Sequence, residues 1–302
     1  MNSLSIMLSE LLILMYKKRF YVGHTLKRAA FALCACVISL SVSPYAGAQT
    51  SAPASDTISL RYATIVHGYH VIDTTASYIL QPWGYGATAN LTTVGLASWF
   101  LTVNLTATVE GRFVGEKTSP VVYDSHGYSR GHNRHVHLVF DHDGPHITAQ
   151  TPKDDDREPL PSEPLHASMD ILSALGSLLH HLETRQSCDV SGSVFDGLRL
   201  MQIDAHGPRN DTVPEERDPY YTGSLMRCDF TGRQIGGFVQ GSSHKAIQAS
   251  PHPGAAWFKK IDDGHIIPVR IEFSHPKLGQ LILVLQSPPR ITHGNDVRPL
   301  PK

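Results

Sequence analysis

The chain has 302 residues, 41% of them hydrophobic, with 26 basic and 27 acidic side chains and a formal net charge of −1. That balance argues against nucleic acid or an anionic membrane surface as the main partner. The length is enough for one large domain that buries its core without structural metals.

Five basic residues, Lys17, Lys18, Arg19, Lys27 and Arg28, precede an uncharged stretch from Ala29 to Ala48 that ends in Ala46, Gly47 and Ala48. A basic start, an apolar centre over Ala29 to Val42 and small residues at the minus-three and minus-one positions read as a secretory leader. The reading predicts a signal peptide over 1–48, cleavage after Ala48, and a chain of 254 residues from Gln49 in the periplasm, with 21 basic and 26 acidic residues. Alternatives stand beside it. A second apolar run, Leu11 to Leu14, with Glu10 before it, makes Met15 an equal candidate for the true start. About 20 apolar residues could also anchor the chain uncleaved in a bilayer, which would be its only contact with a membrane; Pro44, Ser39, Ser41 and Ser43 argue against that. A lipoprotein box at Cys36 would need a small residue where Cys34 stands.

Removing the leader leaves Cys188 and Cys228, an even pair, and in an oxidising compartment they are predicted to form one disulfide. A redox pair would come as CxxC at a helix start, and the sequence has none.

A flexible linker is expected over 49–56. From Thr57 the chain alternates apolar and polar residues in runs broken by Gly, Pro and Asp, the period of half-buried antiparallel strands. Ile58, Leu60, Tyr62 and Thr64 share a face of the first strand. A second run covers His70 to Leu80, and Pro82 to Gly86 reads as a turn. Leu101 to Val109 alternates most clearly, and further strands are expected at Arg112 to Tyr123, at Asn133 to Asp141 and near Ile147. Thr151 to Pro164, with four prolines and five acids, is predicted to be a solvated loop. It lacks the spaced ligands of a calcium loop. A single helix of about four turns follows, with Ser168 as its cap, Asp170 in its first turn and an apolar stripe of Ile171, Leu172, Leu175, Leu178, Leu179 and Leu182. Seven more strands are expected between Asp189 and Gln286, interrupted by a polar loop over Gly207 to Gly223 and a hairpin turn at Asp262 to Gly264. A single β-rich domain over 57–287 and a disordered tail over 288–302 complete the organisation. The fold predicted is mainly β: a strongly curled antiparallel half-barrel with one long amphipathic helix against its concave side.

Gly95, Leu96 and Trp99, then Gly111, Pro120 and Tyr123, then Asp170 to Leu175, then Phe195 to Arg199, and finally Pro268, Val269 and Arg270 occur in an order that resembles a proteobacterial periplasmic family known as domain of unknown function 3108. The resemblance implies a curved sheet of the kind seen in periplasmic lipoprotein carriers, with a helix filling the open side. It implies no activity.

Histidine is the compositional outlier: six of the seventeen beyond the leader, His126, His132, His135, His137, His142 and His146, fall within 21 residues. His135 and His137 share a strand face, and His132 could approach from the preceding turn. Three imidazoles suit zinc or copper, and Asp141 and Asp143 could add oxygen ligands. The competing reading puts His135 and His137 on a solvent face, opposite Val136, Leu138 and Phe140. No other cofactor is expected. Ser242, Ser243 and His244 are adjacent but lack a nucleophile elbow, and there is no phosphate loop or dinucleotide fingerprint, so no catalytic residue is assigned and a non-enzyme is expected. Trp83, Tyr85, Trp99, Phe100, Trp257 and Phe258 would line a concave apolar surface able to take a lipid or other apolar ligand, or would form ordinary core. The function expected is an exported protein of the cell envelope that binds an apolar ligand or an envelope partner. The alternative is a periplasmic metal-binding protein using the cluster from His126 to His146.

Overall fold

A computed structural model describes residues 55–294, save 130, 154–155, 216–219 and 277. The leader, Met15, Cys34, Cys36, most of the expected linker and the last eight residues lie outside the described part.

Among the described residues, fourteen strands form one antiparallel sheet. The first seven are β1 (Ser55–Val66), β2 (Tyr69–Gln81), β3 (Gly84–Thr93), β4 (Val103–Val114), β5 (Lys117–Ser129), β6 (His132–Asp141) and β7 (Gly144–Thr151), each hydrogen-bonded to the next. A second meander, β8 (Val190–Phe195), β9 (Leu200–Thr212), β10 (Ser224–Gly236), β11 (His252–Lys260), β12 (Ile266–His275) and β13 (Gly279–Leu285), joins the first by pairing β13 with β1. The lateral order therefore runs β7 through β1 and then β13 back to β8. Residues of opposite face alternate strictly: along β4 every second residue from Val103 to Phe113 is buried. Register shifts at Glu110/Gly111, Arg227/Asp229, Gln234/Gly236 and Trp257/Phe258 supply the bulges that curl such a sheet. The result is barrel-like and nearly closed, with β7 and β8 as its two edges.

The chain crosses from one edge to the other through helices. The described residues contain four short ones, α1 (Ala97–Phe100), α2 (Ser162–His166), α3 (Ile171–Arg185) and α4 (Lys245–Ala249), rather than one long helix. α3, of 15 residues, lies across β4, β5, β8 and β12. That is just over four turns, the length expected, and both ends are fixed. Met169 is extended, bridged to Val194, and its amide reaches the Ser193 carbonyl at 3.0 Å. The cap is consequently Asp170, which accepts from the Ser173 amide at 2.9 Å, and not Ser168, whose hydroxyl donates to the Leu165 carbonyl. At the other end Gln186 turns left-handed, with φ 54°, and the chain enters the Cys188–Cys228 disulfide.

Four other expectations are corrected. The single strand expected over Arg112 to Tyr123 is the end of β4 and the start of β5, joined by a turn at Gly115 with φ 63°. α2 begins inside the expected loop over Thr151 to Pro164. β9 continues to Thr212 through about the first third of the expected polar loop, because Arg209 and Asp211 find ionic partners in Asp229 and Arg227 on β10, and cross-strand ion pairs sustain this end of the strand without an apolar alternation. The expected tail contains β14 (Arg290–Gly294), which pairs with Ser55–Ser59 of β1 and covers the edge that β13 leaves open.

Candidate functional site

The concave face of the sheet and the apolar face of α3 enclose a cavity of about 230 Å³. Its wall is assembled from distant parts of the chain by the alternation of side chains: Leu60 and Tyr62 of β1, Leu91 of β3, Phe258 of β11 and Leu283 of β13 on one side, and Leu172, Leu175, Leu178 and Leu179 of α3 on the other. The tyrosines contribute rings rather than hydroxyls. Tyr62 donates to the Pro268 carbonyl at 2.7 Å and Tyr78 to the Ile266 carbonyl at 3.1 Å, and burial raises the pKa of both phenols above the ordinary value, keeping them neutral. Thr74 also lines the cavity, and its buried hydroxyl makes no hydrogen bond to any described residue.

The start of α3 is fastened to the sheet by a buried polar chain. Tyr85 donates to Ser173 Oγ at 2.6 Å, and Ser173 Oγ donates to Asp170 Oδ2 at 2.5 Å. Burial pushes the Asp170 carboxyl up to about 6, with the hydrogen bonds from Ser173 opposing the shift. The Tyr85 ring lies flat over Gly111, where a Cβ would fall 2.2 Å from it, so the motif residues Gly111 and Asp170 meet in one helix-docking contact.

Of the six aromatics expected on the concave surface, Phe258 lines the cavity. Tyr85 is buried beneath α3, and Trp257 is fully buried on the opposite face of β11, under the Arg227 guanidinium at 4.7 Å. Trp83, Trp99 and Phe100 are exposed, because they sit in the β2–β3 turn and on α1 at the ends of strands. The wall is mostly aliphatic and comes from the alternating strands themselves.

The histidine cluster is on the outside. β5 and β6 pair so that Asp124 faces His137 and His126 faces His135. All four side chains stand on the convex face, while Leu138 is fully buried on the other. Asp124 Oδ2 receives His135 Nε2 at 2.7 Å and His137 Nδ1 at 3.0 Å, and Asp124 Oδ1 receives His126 Nδ1 at 2.7 Å. His132 does not join them. Three residues from His135, it has the opposite parity on β6 and pairs with Ser129 at the far end of the hairpin. Its place in the expected set is taken by Asp124, and the alternating pair Asp124 and His126 on the preceding strand was the sequence signal for it. Asp141, His142 and Asp143 gather separately on the exposed β6–β7 turn, with His146 bonded to Asp141 at 2.8 Å. Ser242 Oγ is occupied by the His244 amide at 3.2 Å beside α4. No helix among the described residues is long and apolar enough to cross a membrane.

No curated protein matches the sequence. Among solved structures, a β-barrel-like protein of domain of unknown function DUF1849 from Brucella abortus aligns at 8% identity and a TM-score of 0.44, covering 80% of this chain and 98% of that one. A chain described as a lipoprotein from Parabacteroides distasonis aligns at 10% identity and a TM-score of 0.30, covering 77% and 94% respectively. Neither likeness is close enough to bear on function. The family model for a protein of unknown function, DUF3108, matches residues 57–283, from the first strand to the last strand of the second meander, and the chain belongs to that family.

Proposed function

We propose that this is an exported, non-enzymatic protein of the bacterial periplasm that binds an apolar ligand in the cavity between sheet and α3 and serves the cell envelope, in the manner of a half-barrel carrier. The observation that carries the reading is the cavity itself. Protein interiors pack with few voids larger than a water molecule, and a space of about 230 Å³ walled by aliphatic side chains is the kind of space that takes apolar guests. Export is supported by the secretory leader and by the Cys188–Cys228 disulfide, a bond that persists in oxidising compartments.

The test is native mass spectrometry of the purified protein followed by titration with a fluorescent acyl probe. We expect a co-purified apolar molecule or saturable one-to-one uptake of the probe. Ala89→Phe, which projects a ring into the cavity from β3, should abolish uptake while keeping the β spectrum. No saturable uptake by the wild type, with no co-purified ligand, would remove the carrier reading.

A further inference from the structure

We infer that Asp124, His135 and His137 bind one divalent transition-metal ion, copper or zinc, on the convex face of the β5–β6 hairpin. The site is independent of the cavity, which lies on the opposite face of the sheet. One ligand atom from each of the three residues lies within 4.8 Å of the other two. The two imidazole nitrogens already approach the same carboxylate oxygen, at 2.7 and 3.0 Å. Ligand atoms bound at about 2.0–2.1 Å in tetrahedral geometry stand roughly 3.3 Å apart, so each nitrogen would draw back from the shared oxygen by roughly 0.3–0.6 Å to admit an ion, while the two nitrogens start within 4.8 Å of each other.

Two features separate this cluster from ordinary surface histidines. The two strands are in fixed register, so the spacing does not depend on loop conformation. The carboxylate is oriented from its far side by His126 at 2.7 Å, the kind of outer contact that fixes a ligand's direction. Two imidazoles and one carboxylate suit copper and zinc and not calcium or magnesium, which take oxygen ligands. The side chains of His135, His137 and Asp124 keep 40%, 34% and 24% exposure. A bound ion would therefore keep at least one coordination position open to water and would exchange with solvent, unlike a buried structural metal.

Calorimetric titration of the full, disulfide-intact chain, stripped with chelator, tests the site with cupric, zinc, calcium and magnesium chlorides in turn. We expect one copper ion per chain with a dissociation constant of micromolar or below, zinc more weakly as the general order of metal affinities requires, and no response to calcium or magnesium. Asp124→Asn, His135→Ala and His137→Ala should each weaken copper binding at least tenfold. His132→Ala, and His142→Ala in the exposed turn cluster, should leave it unchanged. Copper added to the wild type should broaden the ring resonances of His135 and His137 first, a readout that needs no variant. The inference is overturned if the wild type binds neither copper nor zinc tighter than about 100 µM. It is equally overturned if the His135→Ala/His137→Ala double variant binds as the wild type does, or if broadening begins elsewhere. None of these outcomes alters the reading of the cavity.

Discussion

At Asp170 one carboxylate has two structural tasks: it caps α3 through the Ser173 amide and ends the chain of hydrogen bonds that begins at Tyr85. Complete burial makes its charge costly and lifts it from 3.8 to about 6. A group raised in this way binds its proton more tightly in the folded chain than in the unfolded one. Its contribution to stability is therefore full below about pH 4 and disappears as pH rises through 6. At about 1.4 kcal/mol per unit the change is on the order of 3 kcal/mol across that window. Asp170→Asn keeps a side chain that caps helices well but cannot titrate. Urea unfolding at intervals from pH 4 to pH 7 should show a shallower fall in stability for this variant than for the wild type. Asp196, raised in the same direction by burial, keeps its own share of the slope. Identical slopes in the two proteins would contradict the assignment. Asp124 shows the opposite arrangement, on a wetter surface and among imidazoles, and is held low. The same residue type thus anchors a helix on one face of the sheet and gathers histidines on the other.

Among the elements, α3 depends most on its ends. Its first turn is tied to β3 through Tyr85, and three residues beyond its last turn Cys188 is bonded to Cys228 in β10, with both sulfurs fully buried. The disulfide closes a separation of 40 residues, worth about 4 kcal/mol in the chain-entropy picture. The Cys188→Ala/Cys228→Ala variant should melt roughly 8–16 °C lower by calorimetry, at 2–4 °C per kcal/mol for a domain of this size; a fall of less than about 2 °C would mean the bond contributes little to holding the helix down. The strands were readable where one face is apolar and the other polar, as in β4, because burial of alternate side chains leaves a period of two. The pairing of Cys188 with Cys228 was readable from their number alone. β9 beyond Ala205 and β14 were not, since cross-strand ion pairs and an otherwise open edge hold them, and neither leaves an apolar pattern. The start of α3 was misplaced by two residues because Ser168 and Asp170 are both good caps, and the bridge between Met169 and Val194 decides between them. Within the histidine cluster, parity along β6 gave His135 and His137, while Asp124 required the register of two strands, which a sequence does not state.

The whole molecule must solve a problem of closure, since a sheet that curls through so many strands still ends in two unpaired edges. Here β7 and β8 do not pair with each other; α2, in the crossing segment between them, packs against both. The second cluster of buried side chains, around Tyr123, Leu138, Phe195 and Leu200, spans β5, β6, β8 and β9 and takes in Leu160 and Leu165 from the same crossing. Closure therefore comes from side chains and a short helix instead of a ladder, and one close backbone contact in it is at Gly144. That residue has φ 101°, and a Cβ there would lie 2.7 Å from the His166 Cα at the end of α2. Gly144→Ala combines backbone strain with a collision against backbone that cannot rotate away. Gly115→Ala, at φ 63° with nothing within 4 Å, carries the strain alone and should cost about 1 kcal/mol. Gly144→Ala should cost at least about 2 kcal/mol more. Its excess should appear as faster amide exchange in Ser162–His166 and along Val190–Phe195, because displacing α2 uncovers both. Equal destabilisation by the two alanines, with unchanged exchange at α2, would mean that the barrel is held shut elsewhere, through α3 and its docking at Tyr85.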